Sequence, residues 1–283
     1  MSDDLRRRIE ALTSQPADAL DPSTAEAAVT ALIDGLNRGT LRAATRTSDG
    51  SWTTHAWIKQ GILLGFRLGR LTDFSTGPFA FFDKHTYPPR AMRREDGVRI
   101  VPGGSAIRSG AYVAPGVVCM PPMYVNVGAY VDTGTMIDSH ALVGSCAQIG
   151  QRVHLSAAVQ IGGVLEPAGA LPVIVEDDAF IGGGCGIYEG CLIRERAVLA
   201  PGVILTRSTR LYDLVHERVY TADETGTLEV PAGAVVVPGS RPADSAFARQ
   251  HGLALYTPVI VKYRDARTDA ATTLESALRT GPA

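Results

Sequence analysis

The chain has 283 residues, 45% of them hydrophobic and 20% charged, with a formal net charge of −2. That length leaves room for more than one domain and a sizeable core, while the near-neutral balance leaves no electrostatic footprint for nucleic acid. No run approaches the ~18 apolar residues of a membrane span, and the opening Met1-Ser-Asp-Asp-Leu-Arg-Arg-Arg leads into a polar helical pattern without the apolar stretch of a secretory signal. A cytoplasmic protein is therefore expected.

The first element with both ends marked is a helix that starts at Asp21-Pro22, an N-cap followed by proline, and closes at Gly39 after Asn37-Arg38. A turn and strand at Gly50-Ser-Trp-Thr-Thr lead into His55 to Phe66, where Trp57, Ile58, Ile62, Leu64 and Phe66 suit a packed helix. Residues 1–100 thus read as an N-terminal α-rich domain. From Ile107 an aliphatic residue recurs every sixth position: Val113, Cys119, Val125, Val131, Ile137, Val143, Ile149, Leu155 and Ile161. After an excursion the phase resumes at Val175 and runs through Ile181, Ile187, Ile193, Leu199, Leu205 and Leu211. A helix needs apolar spacing near 3.6 and an ordinary strand near 2, so period six predicts a solenoid of short segments, three to a triangular turn.

Small or acidic residues at the second repeat position, such as Asp132, Asp138, Gly144 and Gly162, are expected to make the corners. Small residues at the fifth, such as Ala129, Ala141 and Ala147, fit a narrow interior. The phase slips through a polar insertion from Val219 to Glu229, and Val230 to Gly239 reads as one more partial turn. The expected division is a parallel β-helix over 101–240 and a C-terminal strand and tail over 241–283, with the strand at Tyr256 to Tyr263 and a helical or disordered tail from Arg267. Cys119, Cys146, Cys185 and Cys191 form no Cys-x-x-Cys pair and sit inside the repeat, so they read as buried thiols rather than disulfides or metal ligands.

Four blocks carry a family resemblance: Tyr124-Val-Asn-Val-Gly-Ala-Tyr-Val-Asp, Gly134-Thr-Met-Ile-Asp, Val143-Gly-Ser-Cys-Ala-Gln-Ile-Gly, and Val153-His-Leu-Ser with Ile161-Gly-Gly-Val-Leu-Glu-Pro. With Thr54-His-Ala-Trp-Ile-Lys, Phe82-Asp-Lys, Arg99-Ile-Val-Pro, Ser208-Thr-Arg-Leu-Tyr-Asp and Val259-Ile-Val-Lys, the sequence resembles the tetrahydrodipicolinate N-succinyltransferases over roughly residues 30 to 265. The resemblance implies left-handed coils and a homotrimer whose solenoids pack side by side, with acyl-CoA and an amino dicarboxylate meeting in the groove between neighbours. Succinyl-CoA, or alternatively acetyl-CoA, is then a co-substrate, with no permanently bound cofactor and no metal. It also implies that Asp138 meets the acceptor's amine, that Arg99 holds a carboxylate, and that Gly202 and Lys262 lie along the CoA path.

Acyl transfer from a thioester to an amine needs a neutral amine, held carboxylates and stabilisation of the thioester oxygen, but no covalent enzyme intermediate. Two departures bear on this chemistry. The family's Phe-Ile-Gly-Ala-Arg-Ser-Glu reads here Phe180-Ile-Gly-Gly-Gly-Cys-Gly186, which removes the proposed general base and is expected to open space. The family's Asp-Thr-Trp reads Asp138-Ser139-His140, which sets an imidazole near the carried-over aspartate as a candidate replacement base. Asp138 also has a corner-forming reading, because Asp132 holds the same repeat position, and His140 reads equally as drift at a solvent-facing corner. The pattern fits a divergent member similar to the acyltransferase of tabtoxin biosynthesis. Two other classes share the solenoid: a γ-carbonic-anhydrase-like hydratase, which needs three imidazoles around zinc where the unbroken repeats offer only His140 and His154, and a non-catalytic trimeric scaffold.

Overall fold

The computed structural model describes residues 2–16 and 19–269. Three helices open the chain: α1 (Ser2–Thr13), α2 (Pro22–Asn37) and α3 (Ala56–Leu68). Asp21 caps α2 by accepting a hydrogen bond from Thr24 N at 2.9 Å, Pro22 follows in the first turn, and Gly39 takes φ 68° just past the end. Ile9, Val29, Leu32, Ile58 and Ile62 pack the three helices together, and Val127 and Cys146 from the repeat region join the same cluster. The helices come close because Gly61 has no side chain; a Cβ there would strike Leu32. Two short hairpins complete this region, Ala44–Arg46 with Trp52–Thr54 and Leu71–Asp73 with Phe82–Lys84.

From Arg99–Ile100 onward the chain winds as a parallel β-helix of two- and three-residue strands. Strands 106–107, 124–125, 142–143, 160–161, 186–187 and 204–205 stack as a first face, and those at 112–113, 130–131, 148–149, 174–175, 191–193 and 228–230 as a second. The third face begins at 99–100 and runs through 118–119, 136–137, 154–155, 180–181 and 198–199. Register follows the period: Ile137 pairs with Cys119 below and Leu155 above, each three hexapeptides away. The inward column from Val113 to Leu211 is sealed, with Val125, Val131, Ile137, Val143 and Ile149 at 0% exposure.

The corners differ from the expectation in one respect: the left-handed residue is the fourth of the repeat, not the second. Gly110, Gly116, Gly128, Gly134, Gly184, Gly190 and Gly202 take positive φ there, and so do His140, Cys146, Arg152, Ala158, Asp178 and Arg196. The second position contributes differently. Asn126, Asp132 and Asp138 each accept a hydrogen bond from the next backbone N–H, at 2.8, 2.7 and 2.7 Å.

The helical region is fastened to the second face. Arg42 lies over the Tyr130 ring at 3.7 Å, and the buried Glu176 carboxylate accepts from Trp52 Nε1 at 2.8 Å and Arg194 Nη1 at 3.1 Å. The excursion after Ile161 is tied to α3 by the fully buried Lys59, whose Nζ donates to Ala170 O at 2.6 Å. After Leu211 the strands Leu211–Asp213 and Arg218–Tyr220 form a hairpin, and Leu228–Val230 returns to the second face. Ala234–Pro242 then extends the third face and pairs antiparallel with Ala254–Tyr263, two residues longer at its start than expected, across helix α4 (Ala246–Gln250). The tail expected beyond Arg267 lies outside the described residues after Asp269. Among the described residues no helix is long and apolar enough to cross a membrane.

Candidate active site

Asp138 and His140 share the edge between the third and first faces. Asp138 follows the inward Ile137, so its side chain points out of the prism; one carboxylate oxygen is used on Ser139 N, and the other has no partner among the described residues. That local bond is the one Asp132 and Asn126 make at other corners, so it builds the turn while leaving an oxygen for a ligand. His140 holds the left-handed corner at φ 62°, a conformation histidine adopts more readily than most side chains. Its backbone is pinned from both sides: its N–H donates to Pro122 O at 2.5 Å, and its carbonyl accepts from Gln160 Nε2 at 3.3 Å. The imidazole is exposed and forms no ion pair with Asp138 among the described residues.

Arg99 is exposed on the first strand of the third face, paired with Val118, which pairs in turn with Met136. It stands two rungs from the Asp138 turn, roughly 10 Å along the axis at ~4.8 Å per strand. Beside it opens a groove of 520 Å³ lined by Ile100, Tyr124, Phe82, Arg90 and Arg108, in which Arg108 donates to Asp83 at 2.5 Å. Gly202 turns the same edge as Asp138 on the far side, three rungs away. Lys262 is not brought to it. Gly202 approaches Pro238, whereas Lys262 pairs with Val235 near the start of that strand, and its ammonium is taken by Asp265 at 3.0 Å.

Gly186 corrects the expectation of open space. A Cβ there would lie 2.7 Å from Tyr188 Cε2 and 3.0 Å from both Tyr188 Cζ and Ile204 Cδ1. The Tyr188 ring has folded back over the glycine, and Gly162 on the preceding rung also borders it, since a Cβ at 162 would lie 3.2 Å from Tyr188 Cδ1. Sequence reasoning missed Tyr188, although a signal existed: its repeat position on this face carries Asn126, Gly144, Gly162 and Thr206, and a bulky residue elsewhere only at Arg108 on the first rung. Gln160, which pairs in register with Gly186 and reaches His140 O, links the two halves of this surface and was missed as well.

The cysteines offer no competing chemistry. All four are free and buried, and burial pushes the thiols of Cys119, Cys146 and Cys191 up to about 12 and that of Cys185 to about 11. His154 lies flat against Phe180 at 4.9 Å, and no three His, Cys, Asp or Glu side chains cluster for a metal among the described residues.

A triangular parallel solenoid with one sealed aliphatic per hexapeptide and an outward carboxylate on its edge defines the hexapeptide-repeat class. Within it, residues 4–68 match the tetrahydrodipicolinate N-succinyltransferase N-terminal domain, and residues 172–207 match the hexapeptide repeat of succinyl-transferase. The chain is 47% identical over 270 residues to the 2,3,4,5-tetrahydropyridine-2,6-dicarboxylate N-succinyltransferase of Azoarcus sp. (strain BH72), covering 92% of each chain. The proteins of the same name from Acinetobacter baylyi and Bordetella pertussis are each 45% identical, over 91% of both chains and over 99% of this chain and 100% of that one. The chain belongs to the tetrahydrodipicolinate N-succinyltransferase family.

Proposed function

We propose that the protein transfers the succinyl group of succinyl-CoA to an amine derived from 2,3,4,5-tetrahydropyridine-2,6-dicarboxylate or a closely related amino dicarboxylate. The observation that carries this reading is that identity of 45–47% to N-succinyltransferases extends over the helical region as well as the solenoid. In the reaction the amine nitrogen attacks the thioester carbonyl, the new C–N bond replaces C–S, and CoA leaves as the thiol while the amine loses a proton. Arg99 holds an acceptor carboxylate as a charge-assisted pair, and the outward oxygen of Asp138 orients the amine for proton loss. His140 accepts the amine's proton, or the acceptor is an already open-chain amine for which the lost glutamate's ring-opening role is unnecessary.

The working unit is a homotrimer. The second face is covered by Arg42, Ala44 and Trp52 from the same chain, whereas Ala106 and Ile204 stand exposed on the first, which supports pairing of that face with a second copy. A CoA thioester donor and buried reduced cysteines fit a cytoplasmic setting.

The test is CoA release with succinyl-CoA and acetyl-CoA against tetrahydrodipicolinate and open-chain amino dicarboxylates, with light scattering in the same buffer. Transfer from succinyl-CoA by a trimer is expected; full activity in a monomer, or no release with any pair, overturns the reading. Arg99→Ala is expected to raise the acceptor KM and Asp138→Asn to lower kcat by about 10²-fold. His140→Ala abolishes transfer and removes the acidic limb of the pH profile if the imidazole is the base. If it leaves transfer unchanged and open-chain amines are preferred, the second route holds.

A further inference from the structure

The edge between the third and first faces is poor in charge. Its successive corners fall at 101–105, 120–123, 138–141, 156–159, 182–185 and 200–203, and apart from the buried Cys185 thiol their ionisable side chains are those of Asp138 and His140. The outward column beside that edge on the first face, Ala106, Tyr124, Leu142, Gln160, Gly186 and Ile204, carries neither an acid nor a base. His140 is pinned by its backbone, but among the described residues its imidazole meets no group that would fix its tautomer or aim it.

Position 186 is the place in this column from which a second acid could reach the edge beyond Asp138, and the Tyr188 ring fills it. The ring runs back along its own strand: a Cβ at 162 would meet Cδ1 at 3.2 Å, whereas one at 186 would meet Cε2 at 2.7 Å and Cζ at 3.0 Å. Cζ bears the hydroxyl, which is therefore carried past 186 toward the corner that continues the Asp138 edge. Tyr188 is half-buried, and its hydroxyl has no partner among the described residues.

A single carboxylate limits what this edge can do. Opening a cyclic imine requires water to lose a proton as its oxygen bonds to the imine carbon, and the nitrogen to gain protons before the C–N bond breaks to leave a ketone and an amine. Acylating a free amine requires one proton to leave the nitrogen, a demand that Asp138 can meet by itself. A phenol carries no charge at neutral pH and donates a hydrogen bond, so it attracts a carboxylate that a second acid would repel.

The spacing suits a ligand with a carboxylate at its far end. Leu142, Gln160 and Gly186 stack in register, which sets the Asp138 turn and the Tyr188 ring two rungs apart, roughly 10 Å at ~4.8 Å per strand. A seven-carbon chain, as long as about two extended residues at ~3.4 Å apiece, covers that distance with a hydrogen bond of ~2.8 Å at either end.

We propose that Tyr188 is a specificity-determining residue that commits the enzyme to an already open-chain amino dicarboxylate. Asp138 meets the amine, Arg99 the carboxylate beside it, and the Tyr188 hydroxyl donates to the carboxylate at the far end. The inference rests on the acyltransferase reading above and takes the second of its two routes.

The experiment varies the acceptor and the hydroxyl together. Kinetics with succinyl-CoA are measured on wild type and Tyr188→Phe for 2-aminoheptanedioate, for 2-aminoheptanoate, which lacks the far carboxylate, and for tetrahydrodipicolinate. Wild type is expected to favour 2-aminoheptanedioate over both others about tenfold or more in kcat/KM. Tyr188→Phe keeps the ring and should raise the KM for 2-aminoheptanedioate about tenfold without changing its kcat, while the KM values for 2-aminoheptanoate and succinyl-CoA stay as they were. Use of tetrahydrodipicolinate by wild type as readily as the open chain, wild-type kinetics in Tyr188→Phe, or an equal rise in KM for both amino acids overturns the proposal and leaves the acyltransferase reading standing. Calorimetric binding of 2-aminoheptanedioate covers the remaining case. If wild type releases no CoA, weaker binding to Tyr188→Phe upholds the contact and removes the acyltransferase reading, whereas unchanged or absent binding removes both.

Discussion

Restoring a glutamate at position 186 should fail alone and succeed in company. With the Cβ of a Gly186→Glu side chain set 2.7 Å from Tyr188 Cε2 and 3.0 Å from Ile204 Cδ1, the ring or the strand must shift before any carboxylate is accommodated. Overpacking of this kind costs about 1–3 kcal/mol, and the buried backbone at 186 adds a desolvation cost for the new charge. Tyr188→Val alone uncovers Gly186 and loses part of a half-buried ring, for about 1–2 kcal/mol. In the double variant the glutamate enters the space the ring has left, so the two penalties should not add; a coupling of roughly 1–3 kcal/mol is expected. Urea unfolding at fixed protein concentration measures it, because an oligomer's stability depends on concentration. Additivity within about 0.5 kcal/mol refutes the idea that the ring occupies the glutamate's place.

Three other perturbations test the scaffold. Glu176→Ala strands Arg194 and Trp52 without their buried acceptor, and a loss of about 3–5 kcal/mol is expected by denaturant melting, with exchange protection falling first around Trp52. Val143→Asp sets an unpaired charge at a fully buried point of the prism and should cost several kcal/mol and abolish soluble assembly, read by size-exclusion chromatography. Hydrogen bonds from the Arg152 guanidinium at 2.7 and 2.8 Å hold the Asp178 carboxyl below its ordinary value of 3.8. A carboxyl lowered in the folded state contributes stability above the unfolded value and loses it as pH falls through the folded one. Asp178→Asn should therefore flatten the stability profile below about pH 4, by less than about 1 kcal/mol because the pair is exposed.

How much of this was legible in the sequence depends on which constraints repeat. Every rung must place one aliphatic residue inside a narrow prism, so the column from Val113 to Leu211 wrote itself into the chain at period six, and the structure buries those positions. Asp21-Pro22 was legible for the same reason in miniature, since a cap is a local device with few chemical solutions. The left-handed corners were misassigned because their constraint falls on backbone shape rather than on side-chain type. Seven of the corner residues at the fourth position are glycines, but His140, Arg152 and Arg196 accept the same φ once neighbouring rungs hold their amides: His140 N on Pro122 O, Arg152 N on Thr133 O, Arg196 N on Asp177 O. The second-position carboxylates and amides, which look like corner formers, act instead on the single N–H that follows them.

The candidate site was legible only where one residue acts in its own repeat. Asp138 could be marked from its block, yet Tyr188 covering Gly186, Gln160 reaching His140 and the cavity that Arg210 and Arg241 share are arrangements that no local pattern announces. Arg241 lies beyond the phase slip, where the long hairpin brings it to the same cavity as a turn thirty-one residues earlier in the chain. A solenoid makes such convergence easy: each rung advances ~4.8 Å, so side chains eighteen residues apart on one edge become neighbours, and a ligand lying along that edge reads a sparse series of residues rather than a contiguous motif. Divergence can therefore act on one rung at a time. Its effect is not confined to that rung: Tyr188 over Gly186 lies two rungs from the Asp138 corner, and Gln160, which pairs with Gly186 and reaches His140 O, is a link through which a change at one is felt at the other.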